Sequence, residues 1–165
     1  CAEVLTRFAG YLAQSREDGL LVYFGYPKAQ EDAAWRAVRT ALRMVASVQN
    51  IRERFLAEYG VQVGVKLGIH TGLAMMAEVQ SATRTEYLAV GATPALAVKL
   101  PQRMAPDTVV ISAATLHLVQ GYFTMQDLGL QQLPGSATLL HLYRVLQEKN
   151  HFRRDTGDHQ HPQSG

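Results

Sequence analysis

Residues 15–27 read SREDGLLVYFGYP. The charged triplet Arg16-Glu17-Asp18 meets a glycine, and the apolar run Leu20-Leu21-Val22-Tyr23-Phe24 follows. Asp-Gly between this run and the preceding YLAQS signals a hairpin, because both residues tolerate the backbone that a tight turn requires. On local pattern Asp18 is a turn former, and Leu20–Phe24 is a buried strand. A carboxylate at the mouth of such a strand could also hold a metal ion. The local pattern leaves both readings open.

Outward from the hairpin, Ala2 to Phe8 read as the last turns of a helix, with Gly10 as its stop. From Glu31 to about Tyr59, Ala34, Ala37, Val38, Ala41, Val45, Val48, Ile51 and Phe55 recur at helical spacing and predict one apolar face. Arg36, Arg39, Arg43, Arg52 and Arg54 mark the solvated side, and Gly60 ends the helix. VQVGVKLGIHTG reads as a strand running into a glycine turn, and LAMMAEV as the strand paired with it. QSATRTE is a polar loop and YLAVG a short strand. Thr93-Pro94 opens a helix with Thr93 at the N-cap, and Pro101 should break or kink it. TVVIS is a buried strand, SAATLHLV a short helix capped by Ser112, and GYFTMQDLGLQQL and TLLHLYRVLQ the last strands. Residues 1–148 form one domain, and 149–165, polar and without apolar periodicity, a disordered tail or linker. The sum is a ferredoxin-like α+β fold, in which a mostly antiparallel sheet has helices packed on one face.

Composition narrows the function classes. The 165 residues are 47% hydrophobic and 18% charged, enough for a real core. Sixteen basic and fourteen acidic residues leave a net charge of +2, too weak to indicate nucleic acid or an anionic membrane as partner. No apolar run spans a bilayer. The single cysteine, Cys1, builds no disulfide framework, and a cytoplasmic setting fits. The opening without methionine or N-cap reads as a chain truncated at its N-terminus.

Four stretches in order, DGLLVYFGYPKAQEDAAWRAVRTAL, GVKLGIHTGLAMMAEV, EYLAVGATPALAVKL and TVVISAATLHLVQGYFTMQDLGL, resemble the catalytic domain of class III nucleotidyl cyclases, from about Ala2 to Leu146. The resemblance implies the nucleotide cyclase fold and attack of a ribose 3′-hydroxyl on the α-phosphate of ATP or GTP, in intracellular signalling. It implies a homo- or heterodimer, since the family's sites form between subunits. It implies a pair of divalent ions, Mg2+ or Mn2+, held by two carboxylates. Asp18 matches the second metal carboxylate, the first belonging to a segment upstream of this sequence. Glu17 stands where the family has glycine. Ala95 and Lys99 occupy the positions of the family's Asn and Arg, which orient the ribose and stabilise the transition state. Gln14 and Leu88 occupy the base-selecting positions and match neither the adenine nor the guanine pattern. Pro134-Gly135 replaces a Lys-Gly step whose lysine reaches the polyphosphate. These replacements imply an impaired or inactive cyclase; the alternative is a catalytically dead regulatory or dimerisation module. A diguanylate cyclase shares the topology but needs a GGDEF-like turn that Arg16–Gly19 does not supply. His70 in GIHTG is read as a packed structural residue, Gly68 and Gly72 as bend and turn, and Met75 and Met76 as core or dimer-face packing.

Overall fold

The computed structural model describes residues 10–149, apart from 17 and 18 and from the side chains of 13–16 and 103. The helix expected over Ala2–Phe8, the tail from 150 onward, and Glu17 and Asp18 lie outside the described residues. A hairpin of β1 (Tyr11–Arg16) and β2 (Gly19–Tyr23) leads to the long helix α1 (Ala33–Tyr59). Then come β3 (Lys66–Ile69), a ribbon of β4 (Met75–Gln80) and β5 (Thr85–Val90), and α2 (Ala92–Lys99) with the 3-10 turn Leu100–Arg103. β6 (Thr108–Ser112), α3 (Ala113–Val119), β7 (Phe123–Gln132) and β8 (Leu139–Glu148) complete the elements of the described residues.

The main sheet has the order β3-β6-β8-β7, while β1-β2 and β4-β5 are separate two-stranded sheets. This is the expected α+β class, with antiparallel pairs predominating. One pair departs: β3 and β6 are parallel, Lys66 facing Thr108 and Ile69 facing Ile111. LAMMAEV was expected to pair with the strand before it, but β4 pairs with β5, from Met75↔Val90 to Gln80↔Thr85. Residues 70–74 lie between β3 and β4, and β3 is left to join β6 through the crossover helix α2.

The five residues of β6 are all buried, as a β-branched run in the middle of a sheet should be. Alternation sends them to two cores. Val109 and Ile111 join Val38, Ala41, Val45, Val119, Phe123 and Val145 under α1 and α3. Val110 joins Leu100, Leu133 and Leu142 beneath the 3-10 turn. Helical segments thus cover both faces of the sheet, not one, because the β3-to-β6 crossover must return over the face opposite α1.

Further expectations are corrected locally. Ile51 and Phe55 are partly exposed, because the last two turns of α1 offer their apolar side to no neighbour in the sheet core. Arg36 is not a solvated-side residue: its side chain is only 11% exposed and pairs with Asp32 at 3.1 Å. Gly60 does end the helix, at φ +66°, its N–H reaching the Leu56 carbonyl. The run after Gly19 is half-exposed rather than buried. α2 begins two residues earlier than expected, with Gly91 at the cap, and Thr93 caps nothing. Ser112 precedes α3 but makes no capping bond. The break at Pro101 holds: α2 gives way to a 3-10 turn with proline at its start.

Candidate functional site

The β1-β2 hairpin carries the chain on either side of 17–18, with Arg16 paired to Gly19 and Gln14 to Leu21. The predicted hairpin is therefore present, while Asp18, the expected metal carboxylate, lies outside the described residues. The hairpin is bound to the ribbon through an aromatic side chain. The Ala89 N–H donates to the Tyr23 hydroxyl at 2.7 Å. Tyr11 stacks on Tyr23 with centroids 6.0 Å apart, and Tyr26 meets Tyr11 edge-on at 5.1 Å. Desolvation, followed by the neighbouring Tyr11, pushes the Tyr26 phenol up. The sequence reading missed this tyrosine cluster; its signal was three tyrosines flanking one hairpin.

Leu88 is half-buried in β5, opposite Ala77. Gly91, at φ +113°, then turns the chain into α2, a conformation that disfavours any residue with a Cβ. Ala95 and Lys99 stand four residues apart on α2, so they share one face. Ala95 is exposed and Lys99 half-buried. The Lys99 ammonium lies beside the turn joining β7 and β8, 3.9 Å from where a Cβ on Gly135 would stand. Among the described residues no carboxylate forms an ion pair with it. The structure thus brings Lys99 to Pro134-Gly135, a pairing that sequence spacing did not reveal.

The approach of α2 to the sheet depends on glycine. A Cβ at Gly68 would stand 2.7 Å from both Leu100 Cβ and Pro101 Cδ; one at Gly72 would stand 2.6 Å from Thr93 Oγ1. Both glycines serve close approach rather than a bend. His70 is half-buried, and burial pushes its pKa down. Its Nδ1 lies 2.7 Å from Ser112 Oγ, as a packed structural histidine should. Asp127 accepts from the Gly129 N–H at 2.7 Å and from His141 Nε2 at 2.5 Å. The Gly129 N–H and the His141 bond hold its carboxyl below the usual range. It braces the register shift between Asp127 and Gly129. Met75 is 76% exposed, so it is no core residue, and Met76 is partly exposed.

Among the described residues no three His, Cys, Asp or Glu side chains are grouped to hold a metal ion. The described donor set does not fit a divalent pair. None of the described helices is long and apolar enough to cross a membrane.

This fold, a crossover helix over a mixed sheet with the β4-β5 ribbon beside it, superposes on solved nucleotidyl cyclase domains. The adenylyl cyclase CyaB from P. aeruginosa superposes with a TM-score of 0.83 at 22% identity, over 90% of this chain and 78% of that one. The guanylate cyclase domain of RhGC from Catenaria anguillulae, solved in complex with GTP, gives 0.79 at 22% identity over the same shares. The chain belongs to the adenylate and guanylate cyclase catalytic domain family, whose profile matches residues 7–147. Two Rhizobium meliloti proteins are each 26% identical, one of them named Adenylate cyclase 1, over 89% and 88% of this chain. The chain spans only 14% and 22% of their lengths.

Proposed function

We propose that this domain is a class III nucleotidyl cyclase unit of a cytoplasmic signalling protein, descended from an enzyme acting on ATP or GTP, which does not cyclise nucleotide by itself. The observation that carries the reading is the face of α2, where Ala95 and Lys99 stand at the positions of the family's Asn and Arg. A methyl group gives the ribose no hydrogen bond. An ammonium supplies charge without the planar fork that grips a phosphate in two places. The nearness of Lys99 to Gly135 supports a further role: Lys99 supplies part of the charge that a lysine at position 134 would bring. Gln14 and Leu88, at the base-selecting positions, distinguish neither purine.

Mg2+ or Mn2+ is the ion class the family implies, with Asp18 as this chain's one carboxylate at a family metal position. The described residues add no donor set, so no step is assigned to a metal. Residues 1–148 make the functional unit and 149–165 a linker.

The test is cyclic nucleotide formation by the purified chain with Mg2+ or Mn2+ and ATP or GTP. No product above blank is expected. Losing one donor from such a site typically costs about a hundredfold or more, and here two are altered. Product whose formation disappears in Asp18→Ala would refute the reading.

A second reading, a dimerisation module, is favoured by the ribbon. Leu73 is 98% exposed and Met75 76%, and Val79, Tyr87 and Val90 are also exposed. Such a run of large apolar side chains marks an interface. Met75→Asp should shift the chain from dimer to monomer in sedimentation. A parent chain that is already strictly monomeric would count against this reading.

A further inference from the structure

We propose that His70 and Thr71 are positioning residues for α2, acting through the segment 70–73 and the hydroxyl groups that converge on it. The proposal begins from two hydroxyl residues at the starts of helices, neither of which makes a capping bond. Ser112 stands at the N-cap of α3 without a side-chain capping bond, and α2 has none either, though Thr93 lies in its first turn. A hydroxyl cap contributes about 0.5–2 kcal/mol to a helix. Here both hydroxyls are directed to the same four-residue segment.

The segment is fixed at three places, Ser112, Thr115 and Thr93. His70 Nδ1 meets Ser112 Oγ at 2.7 Å, and Ser112 is 1% exposed. Burial favours the neutral imidazole, whose Nδ1 lone pair can accept the serine proton. Thr71 Oγ1 lies 2.8 Å from Thr115 Oγ1, which is fully buried and also reaches the Ile69 carbonyl at 3.4 Å. Gly72 lets Thr93 lie flat against the chain, and the Thr93 hydroxyl donates to the Leu73 carbonyl at 2.6 Å. The Leu73 side chain is almost wholly in solvent, so packing contributes little to holding this residue.

Hydrogen bonds therefore set where the segment sits, and the segment sets where the first turn of α2 sits relative to α3. Breaking the bond at His70 frees Ser112 to cap α3 and leaves the segment held at Thr71 alone on that side. The displacement then passes through the Leu73 carbonyl to Thr93, and so to the helix bearing Ala95 and Lys99. Only this last step rests on the functional reading of α2; the mechanical claim does not.

The experiment compares 15N-labelled chain with His70→Leu, His70→Asn and Thr93→Val. Asn places a carbonyl oxygen near the position of Nδ1 and keeps an acceptor for Ser112; Leu removes it. His70→Leu should shift the amide resonances of residues 92–99, and His70→Asn should leave them near their original positions. Thr93→Val should reciprocally shift residues 112–115. In urea unfolding, the loss of midpoint in the double variant His70→Leu with Thr93→Val should be smaller than the sum of the single losses, as coupled residues require. Shifts confined to 69–71 and 112–115, with additive midpoints, would mean a merely local packing role and would overturn the proposal. If His70→Leu does not fold, Thr71→Val takes its place, with the same two outcomes. No nucleotide enters the experiment, so its failure and that of the cyclase reading are separate results.

Discussion

Gly68→Ala tests whether the approach of α2 to the sheet is as tight as described. The new Cβ would lie 2.7 Å from Leu100 Cβ, 2.7 Å from Pro101 Cδ and 3.1 Å from the Ala97 carbonyl oxygen. Carbon atoms attract best at about 3.5–4.0 Å, so the 3-10 turn must retreat by roughly 0.8 Å to restore contact. Neither partner can rotate aside: one is a Cβ fixed to the backbone and the other a ring atom. The retreat draws Leu100, 1% exposed, away from Val110, Leu133 and Leu142. Overpacking of this kind costs about 1–3 kcal/mol. Removing a glycine from the unfolded chain returns about 0.4–1 kcal/mol. The net expectation is a loss of about 1–2 kcal/mol. With a urea dependence of about 1–3 kcal/mol per molar, the unfolding midpoint should fall by roughly 0.5–1 M, read by circular dichroism. Gly19→Ala is the control, since nothing lies within 4 Å of its Cβ position. A Gly68→Ala midpoint no lower than that of Gly19→Ala would refute the close-packing argument.

Two further expectations follow from side-chain partners. Asp107 holds the starts of β3 and β6 to α1: its carboxylate accepts from Arg52 and from the Val65 N–H at 3.3 Å, while Arg52 Nε donates to the Val63 carbonyl at 3.1 Å. Asp107→Asn keeps the shape and tolerates the φ of +64°, so it isolates the charge; a loss of about 1 kcal/mol in urea unfolding is expected, and no loss would show the pair to be idle. The pH dependence of stability should have two windows. The lowered pKa of His70 means that the unfolded chain takes up its proton first, so stability should fall as pH drops through about 6.5 and the effect should vanish in His70→Gln. The lowered pKa of Asp127 adds stability that is present above its ordinary value of 3.8 and is lost as pH falls below it; Asp127→Asn should flatten that acid limb.

Much of the fold was legible because it was written in periodicity. The run TVVIS could only be a buried strand, and the three-four spacing from Ala34 to Val48 could only be a helix with a core face. Pairing was not legible. LAMMAEV and VQVGVKLGIH are adjacent apolar segments, and nothing in a strand's own pattern says whether its neighbour in sequence is its neighbour in the sheet. The hydroxyl residues misled for a related reason. Ser112 has the residue type and position of a cap, and Thr93 before Pro94 has the sequence pattern of one, but a hydroxyl takes the best partner in space, and the segment 70–73 brings His70 and the Leu73 carbonyl within reach. At the candidate site, Ala95 and Lys99 could be placed by their register within one helix. The nearness of Lys99 to Gly135 could not, because it spans two elements distant in the chain.

The bond between the Ala89 N–H and the Tyr23 hydroxyl has a consequence for how the molecule comes apart. A lone two-stranded sheet is barely stable in water, and the described residues include two of them outside the main sheet. Tyr23 joins them, so each borrows persistence from the other. On warming, the hairpin and the ribbon should loosen as one cooperative flap while the four-stranded body keeps its amide protons, an ordering of local openings that amide exchange can follow. A phenylalanine at position 23 would keep the rings together and remove the rivet. The flap would then open in two independent halves, well before the body melts.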